Sequence, residues 1–161
     1  ELVTRERQFR TLAENSPDVI SRLDRQYRHL YVNPAIHQAT GLTPEEFIGK
    51  THAQIGMPEE IYQPWYAKMG SVVETGQGCS FEFDFPAPDG IRHYLARFVP
   101  EFNATGEVET ILGITSDITD LKRTEQALRV SETRFRRVLE CDMIGMGFWD
   151  IEGNIVLAND A

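Results

Sequence analysis

The chain has 161 residues, of which 41% are hydrophobic and 25% are charged, as expected for a soluble globular domain with some additional sequence. Its formal net charge of −9 disfavours a nucleic-acid partner, and the only basic cluster, residues 134–137, belongs to a predicted helix with interspersed acids. No apolar run approaches the roughly 18 residues that cross a bilayer, and there is no signal-peptide pattern, so direct membrane contact is not expected.

The first elements are a helix and a hairpin. Apolar spacing predicts a helix over residues 2–14, and Asn15-Ser16-Pro17-Asp18 ends it. Two short strands are predicted from Val19 to Asp24 and from Tyr27 to Val32, and the tight connection between them predicts a hairpin.

Helices follow the hairpin. Asn33 is predicted to cap a short helix that has Pro34 in its first position. Thr43-Pro44-Glu45-Glu46 has the pattern of a capping box and predicts a second short helix. A longer helix is predicted from Glu59 to Glu74 and ends at Gly76.

Three strands come next. The alternation of Phe81, Phe83 and Phe85 with acidic residues predicts a half-buried strand. Further strands are predicted over residues 92–102 and 108–118. Separate blocks of two and three strands indicate an antiparallel sheet with helices on one face, an α+β fold.

The C-terminal part is predicted to begin with a helix over residues 120–140. Leu121, Leu128 and Phe135 recur every seven residues, which is a short coiled-coil pattern interrupted by Glu125 and Glu132.

An internal repeat with an offset of 126 residues links the two ends of the chain. Residues 6–10 (ERQFR) match residues 132–136 (ETRFR), and Asp24 and Asn33 match Asp150 and Asn159 without a gap. The second copy stops after one helix and about two strands. Because the chain also starts at Glu1 rather than at Met, we expect it to be a segment of a longer protein.

The order and spacing of several motifs resemble those of a PAS domain with its C-terminal PAC segment, over about residues 6–120. The motifs are Glu14-Asn15-Ser16-Pro17-Asp18, Tyr31-Val32-Asn33-Pro34-Ala35, Thr40-Gly41, Glu46-Phe47-Ile48-Gly49-Lys50, Pro88-Asp89-Gly90 and Gly113-Ile114-Thr115-Ser116-Asp117-Ile118-Thr119. From Glu132 onward the chain resembles the start of a second PAS domain.

The resemblance implies a five-stranded antiparallel sheet in the order 2-1-5-4-3, with helices on one face and further helices at each end of the domain. The domains expected are an N-terminal flanking helix, a PAS/PAC domain, a connecting signalling helix and a truncated second PAS domain. Their boundaries are 1–15, 16–120, 121–141 and 142–161.

The resemblance also implies a sensory role without catalysis, in a cytoplasmic part of a bacterial signalling protein. A histidine kinase is the parent expected, and its membrane anchor, if it has one, lies outside this chain. Adjacent PAS and output domains, a homodimer formed through the flanking helices and a small-molecule ligand are the expected partners. Asp117, Ile118 and Thr119 are expected to couple the sheet to the following helix, against the simpler alternative of a helix cap.

The expected pocket lies between the sheet and the long helix. Its candidate residues are Tyr62, Trp65, Met69, Phe83, Arg97 and Ile114. Simple core packing is the alternative for the aromatic residues. Arg97 either faces solvent or points inward, where it requires an acidic ligand or an internal carboxylate.

The pattern of histidines and cysteines disfavours three cofactor classes. His29, His37, His52 and His93 show no metal-ligand spacing, and the long helix lacks the histidine that haem-binding PAS sensors use. His52, just before that helix, is the only other candidate for a haem ligand, and a surface or core histidine is the favoured interpretation. Neither cysteine, at positions 79 and 141, has the setting of a flavin-binding photosensor cysteine, so covalent flavin is disfavoured and the cofactor stays unassigned. The isolated cysteines favour cytosolic thiols over a disulfide.

Two alternatives remain open at this stage. The domain is either a ligand sensor or a ligand-free dimerisation and interaction module whose own side chains fill the core. The parent is either a kinase or an enzyme that makes or degrades a cyclic dinucleotide.

Overall fold

The computed structural model describes residues 10–139 and 147–158, and the chain divides into two compact units after Thr119. The predicted start of the N-terminal helix, the repeat match at Asn159 and Cys141 lie outside the described residues. The first unit contains α1 (residues 10–14), β1 (Val19–Asp24), β2 (His29–Val32), α2 (Ala35–Thr40), α3 (Pro44–Phe47), α4 (Glu59–Thr75), β3 (Cys79–Ala87), β4 (Gly90–Phe102) and β5 (Val108–Asp117).

The five strands form one antiparallel sheet in the order β2-β1-β5-β4-β3, which confirms the predicted order. The central strand is β5, with β4 on one side and β1 on the other. Phe98, Gly113 and Ser21 are register partners across β4, β5 and β1, and so are Ala96, Thr115 and Val19. Since side chains alternate along a strand, these two rows lie on the same face of the sheet.

Helix α4 packs over this inner face. Its buried residues are Trp65, Met69 and Val72, and they join Leu23 and Ile111 of the sheet in one hydrophobic cluster. The spacing of three and four residues in the helix places all three on one side, as an amphipathic helix requires. The helix ends at Gly76, as predicted.

Asn33 has a different role from the predicted one. Its side chain makes no cap bond, because Pro34 is the N-cap residue of α2. Instead its amide donates to the carbonyls of Ala13 and Asp18, each at 2.8 Å, and its Oδ1 accepts from the Ile20 N–H at 2.9 Å. This fully buried side chain therefore ties the end of α1 and the start of β1 to the end of β2.

The capping box predicted at Thr43 includes a hydrogen bond that the Glu46 carboxylate accepts. The Thr43 N–H donates to Glu46 Oε2 at 2.7 Å, and α3 begins at the next residue, Pro44. This bond satisfies a backbone donor that the short helix leaves unpaired.

The second unit contains most of α5 (Thr119–Leu139) and a hairpin of β6 (Gly147–Trp149) and β7 (Ile155–Ala158). Leu121, Leu128, Phe135 and Val138 are exposed large side chains on α5. Among the helices of the described residues, none has an apolar stretch long enough to cross a membrane.

The hairpin of the second unit repeats the hairpin β1–β2 in register as well as in sequence. Arg22 pairs with Tyr31 and Leu23 with His29, and 126 residues later Phe148 pairs with Leu157 and Trp149 with Ile155. Both ladders have an irregularity at the same step. The repeat found in the sequence thus corresponds to a repeated local structure.

Candidate functional site

A pocket of about 80 Å³ lies between α4 and the inner face of the sheet. Most of its lining is apolar. Its wall on the helix side includes Trp65 and Met69, and its floor includes Ala96, Ser21 and Thr115. The other lining residues are Val19, Leu23, His29, Val32, Ile36, Ala39, Thr40, Phe47, His52, Met57, Phe81, Phe83, Phe85, Tyr94 and Phe98.

The floor of the pocket, in the middle of the sheet, includes short side chains such as Ser21 and Ala96. Ala96 and Thr115 are paired on adjacent strands, and next to them Gly113 lies between Phe98 and Ser21. A Cβ atom added to Gly113 would lie 2.7 Å from Ser21 Oγ and 3.5 Å from the Phe98 ring. Ser21 and Phe98 thus pack closely over Gly113, which is not part of the lining, whereas a larger side chain at Ala96 would extend into the pocket.

Three of the six predicted pocket residues line the pocket: Trp65, Met69 and Phe83. The Trp65 and Phe83 rings contact each other with a centroid distance of 4.9 Å. Tyr62 is not part of the lining. Its ring contacts the tilted ring of Tyr66, one helical turn away, with a centroid distance of 4.8 Å.

Arg97 and Ile114 lie on the opposite face of the sheet, so the prediction that they line the pocket is wrong. They are register partners on β4 and β5. Their neighbours along the strands, Ala96, Phe98 and Thr115, belong to the inner face and line the pocket. Arg97 is exposed to solvent. Alternation along the strand therefore excludes an inward Arg97 and the acidic ligand that it would need.

The fold brings together at the pocket a pair of histidines that the sequence did not predict. His29 and His52 are both buried, and their ring centroids lie 4.6 Å apart. His29 Nδ1 lies 2.7 Å from the Lys50 carbonyl oxygen. His52 contacts Trp65 edge to face at 5.2 Å, and its backbone N–H donates to Tyr66 Oη at 3.1 Å. A separation of 23 residues has no local motif, so only the position of the loop before α4 could reveal this pair.

Burial keeps both histidines neutral. Loss of solvation and, to a smaller extent, the neighbouring His29 together lower the pKa of His52 to about 3. Burial also lowers the pKa of His29, against the effects of the Lys50 carbonyl and Asp24. Because the charged form of a buried imidazole is disfavoured, the pocket carries no positive charge near neutral pH. No cluster of three metal-ligating side chains occurs within residues 10–139 and 147–158.

The joint at the end of β5 is formed by Asp117, Ile118 and Thr119. The Ile118 N–H donates to the His93 carbonyl at 2.8 Å, and the His93 N–H donates to Thr119 Oγ1 at 3.0 Å. Asp117 Oδ1 accepts from the Thr119 N–H at 2.9 Å, and Arg92 donates to Asp117 Oδ2 at 2.6 Å. The start of β4 thus holds the residues that lead into α5.

The pKa of Asp117 is held below its ordinary value. Partial burial alone would raise it, but hydrogen bonds from Thr119 and the ion pair with Arg92 outweigh that effect. Arg92 also pairs with Asp89 in the β3–β4 turn. Charged hydrogen bonds of this kind are stronger than neutral ones, although exposure weakens them here.

Comparison with known proteins gives one family. A family model described as the PAS fold matches residues 13–123, which is more than half of the chain. An uncharacterized protein of Sinorhizobium fredii, y4lL, is 27% identical over 135 residues, and a probable diguanylate cyclase of Escherichia coli, DgcE, is 39% identical over 59 residues. These matches cover 81% and 37% of this chain but only 16% and 5% of the two relatives, so the chain spans a small part of their length.

Solved structures with the same fold include a VqmA–ligand–DNA complex of Vibrio cholerae, with a TM-score of 0.63 and 22% identity over 78% of this chain and 57% of that one. A sensory box sensor histidine kinase from Vibrio cholerae has a TM-score of 0.55 and 13% identity over 73% of this chain and 94% of that one. Together with the strand order and the family match, these similarities lead to one conclusion: the chain belongs to the PAS fold family, and residues 13–123 form its PAS domain.

Proposed function

We propose that this PAS domain is the sensory module of a larger signalling protein, and that a small molecule in the pocket between α4 and the sheet is its input. The observation that carries the proposal is that one strand, β4, contributes both to the pocket and to the joint at the end of β5. Tyr94 lines the pocket, and the two residues before it, Arg92 and His93, bond to Asp117 and Thr119.

The register explains how a change in the pocket reaches the joint. Tyr94 is the direct partner of Asp117 across the β4–β5 ladder. Its ring stacks on Phe83 at 5.6 Å, and Phe83 contacts Trp65 of α4. A ligand that displaces Trp65 therefore moves Phe83 and Tyr94. We infer that the joint has two arrangements. The free energy difference between them then changes by the difference between the ligand's binding free energies for the two arrangements.

The coupling is tested by Asp117→Ala in the full-length parent. We expect basal output to change by about fivefold or more, the lower range of coupling energies between sites. Asp120→Ala is the matched control, because Asp120 is exposed, lies three residues away, and its carboxylate pairs with Arg123 of its own helix at 3.5 Å. Equal outputs for the two folded variants would refute the coupling.

The output domain is also part of the proposal. The sensor histidine kinase with the same fold supports a kinase parent, and the probable diguanylate cyclase supports a cyclic-dinucleotide enzyme. We favour the kinase, because arrays of PAS units are frequent in bacterial hybrid kinases. We also propose that the module is cytoplasmic, because such output domains use ATP or GTP. Incubation of the parent with labelled ATP and with GTP separates the two: phosphohistidine supports the kinase, and a cyclic dinucleotide supports the alternative.

A ligand-free interaction module is the second candidate, and the small pocket volume favours it. Ligand sites commonly occupy about 300–1,000 Å³, well above the volume of this pocket. In this version α5 acts mainly in a homodimer, through exposed apolar residues such as Leu121, Leu128 and Phe135. Native mass spectrometry of freshly purified protein tests both parts: an added small mass supports the sensor, and a dimer without added mass supports the interaction module.

A further inference from the structure

One residue that lines the pocket carries a buried polar atom that the fold leaves without a partner. Within the described residues, His52 Nδ1 is shielded from solvent and has no hydrogen bond. His52 lines the pocket, and less than a tenth of its surface is exposed. A buried polar group without a partner costs on the order of a hydrogen bond's free energy, so such atoms in folded proteins are generally satisfied by water or by a ligand.

The surroundings of His52 fix its ring but leave that atom unpaired. The ring is in contact with His29, Trp65 and Tyr66 at centroid distances of 4.6, 5.2 and 5.7 Å. Its backbone N–H is held by Tyr66 Oη. Close aromatic packing on several sides restricts rotation of the imidazole, so a polar group that reaches Nδ1 would meet a ring that is already ordered.

The other properties of the pocket restrict the ligand further. The lining is mostly apolar, and both histidines are neutral for the reasons given above, so an anion finds no opposite charge there. Arg97, the cation that sequence analysis allowed inside, lies on the outer face. A charged ligand would have to be buried without a partner, which is strongly unfavourable.

Size gives the last restriction. The pocket has about 80 Å³, whereas an engineered apolar cavity of about 150 Å³ holds benzene. Compounds larger than a few non-hydrogen atoms therefore require movement of the lining. Met57 and Met69 are the lining residues best suited to this, because thioether side chains are flexible and adapt to irregular shapes.

We propose that His52 is the polar anchor of this pocket, and that the ligand is a small, neutral, mainly apolar molecule with one hydroxyl group that hydrogen-bonds to His52 Nδ1. A hydroxyl is favoured over other polar groups because it both donates and accepts, and so it pairs with either neutral tautomer of the imidazole. The assignment rests on the proposed sensory function, since it names the ligand class of the same pocket.

The test uses four probes of similar length: 1-butanol, 1-chlorobutane, butyrate and butylammonium. Trp65 fluorescence reports binding in a Trp149→Phe background, which removes the only other tryptophan. We expect 1-butanol to bind and the two charged probes not to bind. We expect His52→Phe to weaken 1-butanol binding about tenfold, the value of one hydrogen bond, and to leave 1-chlorobutane unchanged.

Matched variants keep the test interpretable. His37→Phe changes an exposed histidine and should have no effect on any probe. His52→Gln keeps a polar group in the same place and should retain part of the preference for 1-butanol. The ¹⁵N chemical shift of His52 Nδ1 in the wild-type chain should change with 1-butanol and not with 1-chlorobutane, and this measurement needs no folded variant.

Each contrary result has a distinct meaning. Equal binding of 1-butanol and 1-chlorobutane, unchanged in His52→Phe, would overturn the anchor and leave the sensory proposal intact. Preferential binding of a charged probe would overturn the ligand class. Failure of every probe to bind would overturn this inference, whereas the sensory proposal would still be decided by the output of the Asp117→Ala parent.

Discussion

The two hairpins of the chain have the same local structure in very different surroundings. In the first, Leu23 is 2% exposed, and His29 and Val32 are buried as well. In the second, the counterpart of Leu23 is Trp149, which is 63% exposed, and Ile155 is 65% exposed. Both turns nevertheless use the same hydrogen bonds to an aspartate.

The shared turn is built in the same way in each hairpin. Asp24 Oδ1 accepts from the N–H groups of Gln26 and Arg28, at 2.8 and 2.9 Å. Asp150 Oδ1 accepts from the N–H groups two and four residues later, at 2.9 Å each. The comparison teaches that the turn depends on local chemistry, whereas burial of the strands depends on the rest of a domain.

The largest expected effect on the free energy of unfolding is that of truncating Leu23, a buried residue of the first hairpin. Leu23→Ala removes a fully packed side chain, and we expect it to lower the free energy of unfolding by about 2–5 kcal/mol. Trp149→Ala should change it by less than about 0.5 kcal/mol, as for surface positions generally. Urea denaturation followed by far-UV circular dichroism measures both. Similar effects of the two substitutions would mean that the second hairpin is packed as the first one is.

The next largest effect is expected at Asn33, which ties the first hairpin to the chain before it. Asn33→Ala removes the side-chain acceptor of the Ile20 N–H and the side-chain donor to the Ala13 and Asp18 carbonyls, so we expect a loss of about 2–3 kcal/mol in the free energy of unfolding. Asn154→Ala is the control in the exposed hairpin, with an expected loss below about 0.5 kcal/mol. A small effect of Asn33→Ala in the same denaturation experiment would show that water replaces its side chain.

A smaller effect is expected at the turn residue with positive φ. Gly153 has φ 86°, and its counterpart Tyr27 has φ 61°. A side chain in this region costs about 1–2 kcal/mol, so Gly153→Ala should lower the hairpin population at least about fivefold. At Tyr27 the structure offsets such strain by packing, because the ring lies 4.5 Å from that of Tyr66. Ile151→Ala, a fully exposed change in the same turn, is the control, and amide exchange measured by NMR is the readout. Equal exchange rates in the two variants would contradict the argument.

The smallest effect concerns the pH dependence of the second hairpin. Hydrogen bonds from the Asn154 side chain and backbone, and from the backbone of neighbouring residues, lower the pKa of Asp150 below its ordinary value. Because the pKa of Asp150 is lowered in the folded hairpin, its carboxylate contributes fully to hairpin stability above the ordinary pKa of about 3.9. This contribution is lost as the pH falls through the folded pKa. Carboxyl-detected NMR should show this low midpoint, and hairpin signals should weaken below about pH 4. Asp150→Asn should remove the pH dependence, and a midpoint at the ordinary value would contradict the turn geometry.

Much of the fold was predictable because its signals are local. The alternation in β3, the capping pattern at Thr43 and the end of α4 at Gly76 depend on neighbouring residues, and the structure contains all three. The internal repeat likewise predicted a second hairpin, whose strands β6 and β7 lie where the offset of 126 places them. The strand order followed from family resemblance and not from any local pattern.

The pocket was only partly predictable, for reasons of geometry. Helical spacing predicted Trp65 and Met69 as pocket residues. Composition did not indicate which face of β4 and β5 points inward, so Arg97 and Ile114 were assigned to the wrong face. A shift of one residue in register exchanges the two faces of a strand. Asn33 was assigned to a cap because its actual acceptors, Ala13 and Asp18, are distant in sequence.

The sequence by itself therefore determined the turns, the periodicity of the elements and the repeat, since these depend on contacts within a few residues. Only the tertiary structure decided that His29 and His52 meet at the pocket, that Ser21 and Ala96 lie on its floor and that β4 contributes both to the pocket and to the joint at Asp117. Such contacts join residues far apart in the chain. Their positions follow from how the helices close over the sheet, which no short stretch of sequence specifies.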